Sequence, residues 1–257
     1  MKYNYHTHHK YCKHATGTTK DYVKKALKHG FTLLGMSDHA PMDWMHDPRR
    51  MTTDQYYRYL AEIEQNQAIY KDKITILKGL EIEYFPIDHT IYESFKEDLD
   101  FIILGQHYIY YGDDVSTRQS AFALTTKQEI KQYGNIVVKA IKTGFFDIIA
   151  HPDVYLHGYK EFDDTAKAVA YQIAEAAKTH RVALEYNANG YRKKQIKTSE
   201  GQKKPYPRLE FFKIVKEIGA PTILSSDCHA PKLLYDTYMQ KAEEDYKALK
   251  LNDIKHL

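Results

Sequence analysis

His6 and His8 stand two residues apart near the start of the chain, with Thr7 between them. Alternate side chains of a β-strand share a face. A strand over residues 3–6 that runs on through His8 would therefore aim both imidazoles at one spot and turn Thr7 away. Two neutral imidazoles so placed can hold a divalent metal. His14 lies beyond the strand, where a loop could return it to the same spot, and His9 either supports a ligand from behind or faces solvent. The pair alone is weak evidence in a chain with 14 histidines. What accompanies it decides the chemistry.

The elements that would position these side chains alternate along the sequence. Short apolar runs cover residues 3–6, 31–36, 74–82, 101–104, 145–150, 182–186 and 221–224. Several lack polar alternation, as strands buried on both faces do. Amphipathic helical stretches lie between them at 21–29, 54–70, 126–142, 163–179, 207–218 and 241–250, with Gly30, Gly144 and Gly219 at three C-terminal ends and Asp163 as an N-cap. Repeated β-α units imply a parallel sheet. In a parallel barrel all C-terminal strand ends converge on one mouth, where the chemistry of that architecture sits.

Those ends carry the ligand types. Ser37-Asp38-His39 follows the second run, and Glu81-Ile82-Glu83 ends the third. Gly105-Gln106-His107, His151, Glu185 through Asn187, and Asp227-Cys228-His229 close the later ones. Imidazoles with a few carboxylates, and no required thiolate, suit Zn, Mn or Fe better than Ca or Mg. The candidates outnumber the three or four ligands one metal takes, so a multinuclear site is expected.

Composition narrows the rest. A length of 257 residues suits a single domain over 1–257, and 43% hydrophobic residues supply a core. A net charge of +3 does not call for a nucleic-acid partner and would not oppose a small anionic substrate. Two cysteines, Cys12 and Cys228, imply no disulfide framework. The sequence shows no transmembrane run and no signal peptide, so a cytoplasmic protein is expected, monomeric or homo-oligomeric. The basic stretch 192–204 reads as a solvated loop or as a flap over an acidic substrate.

In order and spacing, His6-Thr7-His8, Ser37-Asp38-His39, Gly79-Leu80-Glu81, His107, His151 and Asp227-Cys228-His229 resemble the PHP (polymerase and histidinol phosphatase) family. Ser37-Asp38-His39-Ala40-Pro41 and residues 184–192 are most similar to its stand-alone histidinol-phosphate phosphatase branch. The resemblance implies a distorted (β/α)7 barrel with a trinuclear metal site at the C-terminal strand ends. One metal would take His6, His8, Glu81 and Asp227. A second would share Glu81 and add His107 and His151. The third would take His14, His39 and His229. Glu81, Asp227 and His229 count as catalytic. Asp38 would orient a ligand histidine, while Glu83 and Glu185 read either way, the reading without a metal role being preferred. Cys12 would be structural and Cys228 would face away, and His29, His46, His89, His180 and His256 would lie on the surface.

The chemistry implied is hydrolysis of a phosphate monoester, with histidinol phosphate as substrate and histidine biosynthesis as setting. Water between two cations has its pKa lowered toward about 7, and the resulting hydroxide attacks phosphorus. An arginine completes the clamp on the phosphate. Arg192, just past the sixth strand, is the candidate. The branch usually carries another arginine a few residues after the ligand at His151. Here only His157 and Lys160 stand there, and neither offers the guanidinium fork. A nuclease or phosphodiesterase, a tyrosine phosphatase and a non-catalytic module are the competing readings.

Overall fold

The computed structural model describes residues 2–86, 89–112 and 114–257. Its main sheet has eight strands, all parallel and in sequential order. They are β1 (Lys2–Asn4), β2 (Phe31–Met36), β3 (Thr75–Ile82), β4 (Phe101–Leu104), β5 (Ile148–Ile149), β6 (Ala183–Asn187), β7 (Pro221–Ser225) and β8 (Asn252–Asp253). The sheet curls until its first and seventh strands meet. Ser226 N donates to Asn4 Oδ1 at 2.7 Å, Thr7 bridges Cys228, and His8 N donates to the Cys228 carbonyl at 3.0 Å. A ladder joins every other neighbouring pair, whereas this seam is a single bridge among the described residues. The result is the distorted TIM-like barrel that the family resemblance implied.

Two apolar clusters build it. Inside the barrel lie Tyr5, Leu33, Phe101, Ile103, Ile148, Ala150, Ala183 and Ile223. The larger cluster fills the space between sheet and helices. Because both faces of the strands are covered, β4 is buried at every residue. Phe101 crosses the interior, and a Cβ at Gly79 would collide with its ring, so only glycine fits there.

The helices begin where the sequence supplies caps. Thr18, Thr52 and Thr126 form capping boxes with Asp21, Gln55 and Glu129 before Thr19–Lys28, Thr53–Tyr70 and Lys127–Thr143. Asp163 caps Asp164–His180, and Gly144 and Gly219 end their helices in the left-handed conformation.

Four features differ from the expectation. β1 stops at Asn4, because the Asn4 amide bonds the His6 carbonyl and the chain leaves the ladder there. β5 shrinks to two residues. An eighth strand, too short to leave a periodic signal, pairs with Pro221 and Thr222. Helix Thr90–Asp98 and two hairpins, Tyr108–Tyr111 with Asp114–Ser120 and Ile196–Thr198 with Gly201–Lys203, occupy stretches to which the sequence assigned no element.

Candidate metal centre

Glu81, near the end of β3, is the hub. Its carboxylate is 2% exposed and fills space that a Cβ at Gly105 would take. Oε1 lies 3.4 Å from His151 Nε2, 3.6 Å from His6 Nε2 and 3.7 Å from His107 Nε2. Oε2 lies 3.0 Å from His39 Nδ1 and 3.4 Å from His8 Nε2. Asp227, just past β7, closes the other side with Oδ1 at 3.3 Å from His8 Nε2, 3.7 Å from His6 Nε2 and 3.6 Å from His229 Nδ1. Its Oδ2 accepts from the side-chain amides of Asn187 and Asn189.

Hydrogen bonds on the far side of each ring set the tautomers. His6 Nδ1 donates to Glu185 at 2.8 Å, His107 Nδ1 to Glu83 at 2.7 Å, and His14 Nδ1 to the Cys12 carbonyl at 2.8 Å. In each ring the Nε2 lone pair is then left for the centre, as carboxylate-oriented histidines are in metal sites. Nε2 of His6 stands 3.0 Å from Nε2 of His8, and Nε2 of His14 stands 3.1 Å from Nε2 of His229. Nitrogens that face one another so closely need a cation, or a proton, between them. Glu81 Oε1 and the Nδ1 atom of His151 are buried without hydrogen-bond partners.

The donor atoms gather into compact sets, each within 4.8 Å: His6, His8 and Glu81; Glu81, His107 and His151; His8, His39 and His229; and His8, Cys12 and Asp38. The first three sets share Glu81 or His8, so they are contiguous. This donor set fits divalent metal.

Electrostatics agree. Burial alone would push the Glu81 carboxyl up, but His6, His39, His107 and His151 hold it well below the ordinary carboxylate range. Asp227 is likewise held low against its burial by His6, His8 and His229. Burial depresses His6, yet Glu185, Asp227 and Glu81 outweigh it and raise the ring well above its usual value. His229 moves the other way, down to about 3, through burial and the neighbouring His8. The backbone is also constrained, since His151 and Asp227 take positive φ values of 32° and 44°. Such conformations cost of order 1–3 kcal/mol for a non-glycine residue and persist only where the surroundings fix them.

The PHP domain model matches residues 4–189, most of the chain and much of this centre. The chain belongs to the PHP family. Among its relatives, a protein of Deinococcus radiodurans named "Probable histidinol-phosphatase" is 29% identical over 233 residues, 88% of this chain and 85% of that protein. One of the same name from Schizosaccharomyces pombe is 25% identical over 90% of this chain and 81% of its own length. The fold is similar to that of histidinol phosphate phosphatase from Lactococcus lactis, solved with zinc, L-histidinol and phosphate. The TM-score is 0.69 at 22% identity, and the match covers 98% of this chain and 95% of that one.

All nine expected donors of this PHP chain face one region. His14, His39, His229, His8, Glu81, His107, His151 and Asp227 line a cavity of 380 Å³, and His6 lies buried behind it. The expected substrate contacts are another matter. Arg192 does not line this cavity. Nε and Nη2 bind Asp236 at 2.9 Å, Nη1 donates to the Ser226 carbonyl, and Nη2 also donates to the Leu233 carbonyl, both at 2.8 Å. It fastens the segment after β7 instead of meeting a ligand. His157 donates to the Phe122 carbonyl and props that cavity wall from behind, and Lys160 ends helix Leu156–Tyr159 with its side chain exposed. Neither lines the cavity.

Other expectations shift in smaller ways. Glu83 and Glu185, expected to have no metal role, orient His107 and His6. His9 is fully buried against Tyr22 and near Thr7, so it does not face solvent. Asp38 Oδ1 lies 3.5 Å from Nδ1 of the ligand-type His8, as expected of an orienting carboxylate, and Asp38 also binds the backbone N–H groups of His9, Cys12 and His39 and so shapes the loop around the centre. Both cysteines are buried, and Cys12 stands close enough to His8 and Asp38 to share their set. His46, His89, His180 and His256 are exposed as expected, whereas His29 is half-buried against Tyr235.

The residues missed are mostly cationic or aromatic. Asp47, Arg49 and Arg50 line the cavity from the loop 41–53, Tyr108 and Ser120 from the first hairpin, Phe122 from the short turn after it, and Asn189, Lys193 and Tyr206 from the stretch after β6. The adjacent pair Arg49-Arg50 in a long loop at the mouth was the available signal. Of the basic stretch 192–204, only Lys193 reaches the cavity wall.

Proposed function

We propose that this PHP chain is a metal-dependent phosphomonoesterase that hydrolyses L-histidinol phosphate to L-histidinol and phosphate. The observation that carries the reading is the convergence of eight donors on a 380 Å³ cavity also lined by Arg49, Arg50 and Lys193, with His6 buried directly behind it. That volume lies within the range of about 300–1,000 Å³ typical of small-molecule sites. The names of the relatives and the ligands of the Lactococcus protein support the same substrate.

In this reading three divalent ions, Zn, Mn or Fe, would be held by His6, His8, Glu81 and Asp227, by Glu81, His107 and His151, and by His14, His39 and His229. Bound there, such cations supply Lewis-acid charge for the phosphoryl oxygens and make water a nucleophile near neutral pH. Glu81 presents both oxygens to the centre without needing to be protonated, because its carboxyl is held low. Asp227 is aimed by Asn187 and Asn189, so its free oxygen stays beside the reacting atoms. His229 stands between Asp227 and the open side, where the ester would enter. Phe122, Tyr206, Tyr108 and Leu233 form walls that would enclose the organic part and exclude water.

A panel of phosphate esters tested on protein of defined metal content checks the reading. Histidinol phosphate should be the preferred substrate. Turnover of it no faster than that of a generic aryl phosphate would remove the assignment. Cleavage of diesters or single-stranded DNA would put a nuclease in its place, and preference for phosphotyrosyl peptides a tyrosine phosphatase.

A further inference from the structure

The geometry points to Arg50, in the loop after β2, as the arginine that binds the substrate phosphate at this centre. This rests on the phosphomonoesterase reading and fills the role that Arg192 cannot.

Arg50 is 5% exposed, yet it lines the cavity. Its Nη2 donates to Glu83 Oε1 at 2.8 Å. Nε and Nη1 are buried and have no hydrogen-bond partner, and Asp47 Oδ2 is 3.9 Å from Nε, beyond hydrogen-bonding reach. A guanidinium carries five N–H donors in a fixed fork. Here the Nε hydrogen and both Nη1 hydrogens are unsatisfied beside a cavity full of metal-ligand types. Buried charged donors are normally matched, so an unmatched set on a residue that lines a cavity marks it as the partner of an anion bound there. A phosphate dianion is the partner whose oxygens suit a planar fork.

The neighbouring cations fit less well. Arg49 is 60% exposed, and its Nε and Nη2 are taken by Asp47 and Tyr108. Lys193 is exposed and offers a point charge. Arg50 is also the one fixed to the centre. Glu83 Oε1 accepts from both Arg50 Nη2 and His107 Nδ1, and Oε2 accepts from the His107 backbone N–H at 2.8 Å. One carboxylate thus sets the direction of a metal-type histidine and of the guanidinium, which locks the distance between the cations and the phosphate clamp. The buried Met42, Met45 and Met51 hold the loop that carries Arg50.

The test is calorimetric titration of inorganic phosphate into metal-loaded wild type, Arg50→Lys and Arg50→Met, with metal content and melting temperature measured for each. Loss of charge-assisted bonds should weaken phosphate binding by about 10- to 100-fold in Arg50→Met, with metal content unchanged. Arg50→Lys, which keeps the charge and can still meet Glu83, should recover only part. The kcat/KM for a monoester should fall in parallel. Unchanged phosphate affinity in both variants overturns the proposal. So does a deficit that vanishes once metal is restored, because Arg50 would then act only by bracing His107. Arg50-dependent phosphate binding in a wild-type protein that does not hydrolyse histidinol phosphate would support the proposal while ending the reading of the substrate.

Discussion

The two sides of the centre are built differently. On the inner side His6, His8 and His151 are buried and meet Glu81, and carboxylates behind the rings, Glu185 and Glu83, orient His6 and the partly exposed His107. On the outer side His14 is exposed, His39 and His229 are 13% and 27% exposed, and His14 is held from behind by a backbone carbonyl alone. Either partner fixes the tautomer and raises the basicity of the imidazole, and a carboxylate does so more strongly than a carbonyl because it is charged. Burial also keeps water from competing for the cation. The inner side is therefore expected to bind metal more tightly, and the outer side to exchange it more readily and to meet the substrate first.

The comparison can be broken at several points. Glu81→Ala carries the largest expected effect, since this carboxylate serves both sides. More than one metal per chain should be lost and hydrolysis nearly abolished with the fold retained, as read by elemental analysis, steady-state kinetics and circular dichroism. Normal turnover would mean that Glu81 does not join the sites. Next come Glu185→Gln and Glu83→Gln. Loss of such an orienting carboxylate costs typically 10–100-fold in metal affinity, so competition with a chelator should show a deficit confined to the inner side. Partial chelation of the wild type should remove the outer metal first, and simultaneous release of all metals would erase the difference between the sides. The smallest loss of metal is expected for His14→Ala, which should bind one ion less and keep the inner pair.

Acid titration of the metal-free protein sharpens the contrast by its sign. His229 is depressed to about 3, by burial first and then by His8. A lowered folded value means that its unfolded form binds the proton more readily. Stability is thus lost as pH falls from about 6.5 toward about 3, and His229→Gln should flatten that part of the melting profile. His6 is raised, because Glu185, Asp227 and Glu81 outweigh its burial. Its contribution is present below about 6.5 and fades as pH rises through the folded value, so His6→Gln should cost most at acid pH.

After such tests the centre would still be one whose ligand types were legible in the chain. Strand runs at 31–36 and 101–104 end where the structure ends them, because strands buried on both faces need uninterrupted apolar residues. His39, Glu81, His107, His151, Asp227 and His229 could be read from their places after those runs, since parallel strands bring their C-terminal ends together. Helix starts were legible from Thr and Asp caps, whose hydrogen bonds are local.

Arg192 and Arg50 show what local reading could not reach. Both are arginines in loops at the mouth, and their sequence neighbours do not say which of their donors the protein itself takes. Arg192 is consumed by Asp236 and by the carbonyls of Ser226 and Leu233, all more than thirty residues away. Arg50 keeps free donors because Glu83, likewise distant in sequence, takes only one edge of it. Glu83 and Glu185 gained their roles in the same way, through histidines 24 and 179 residues away. By itself the sequence determined the ligand types and most of the strand and helix runs that carry them, since those follow from periodicity and caps that act over a few residues. Which charged side chain is satisfied by the protein, and which is left for a ligand, was decided only by tertiary structure, because a hydrogen-bond donor is spent or free according to partners that folding brings from elsewhere in the chain.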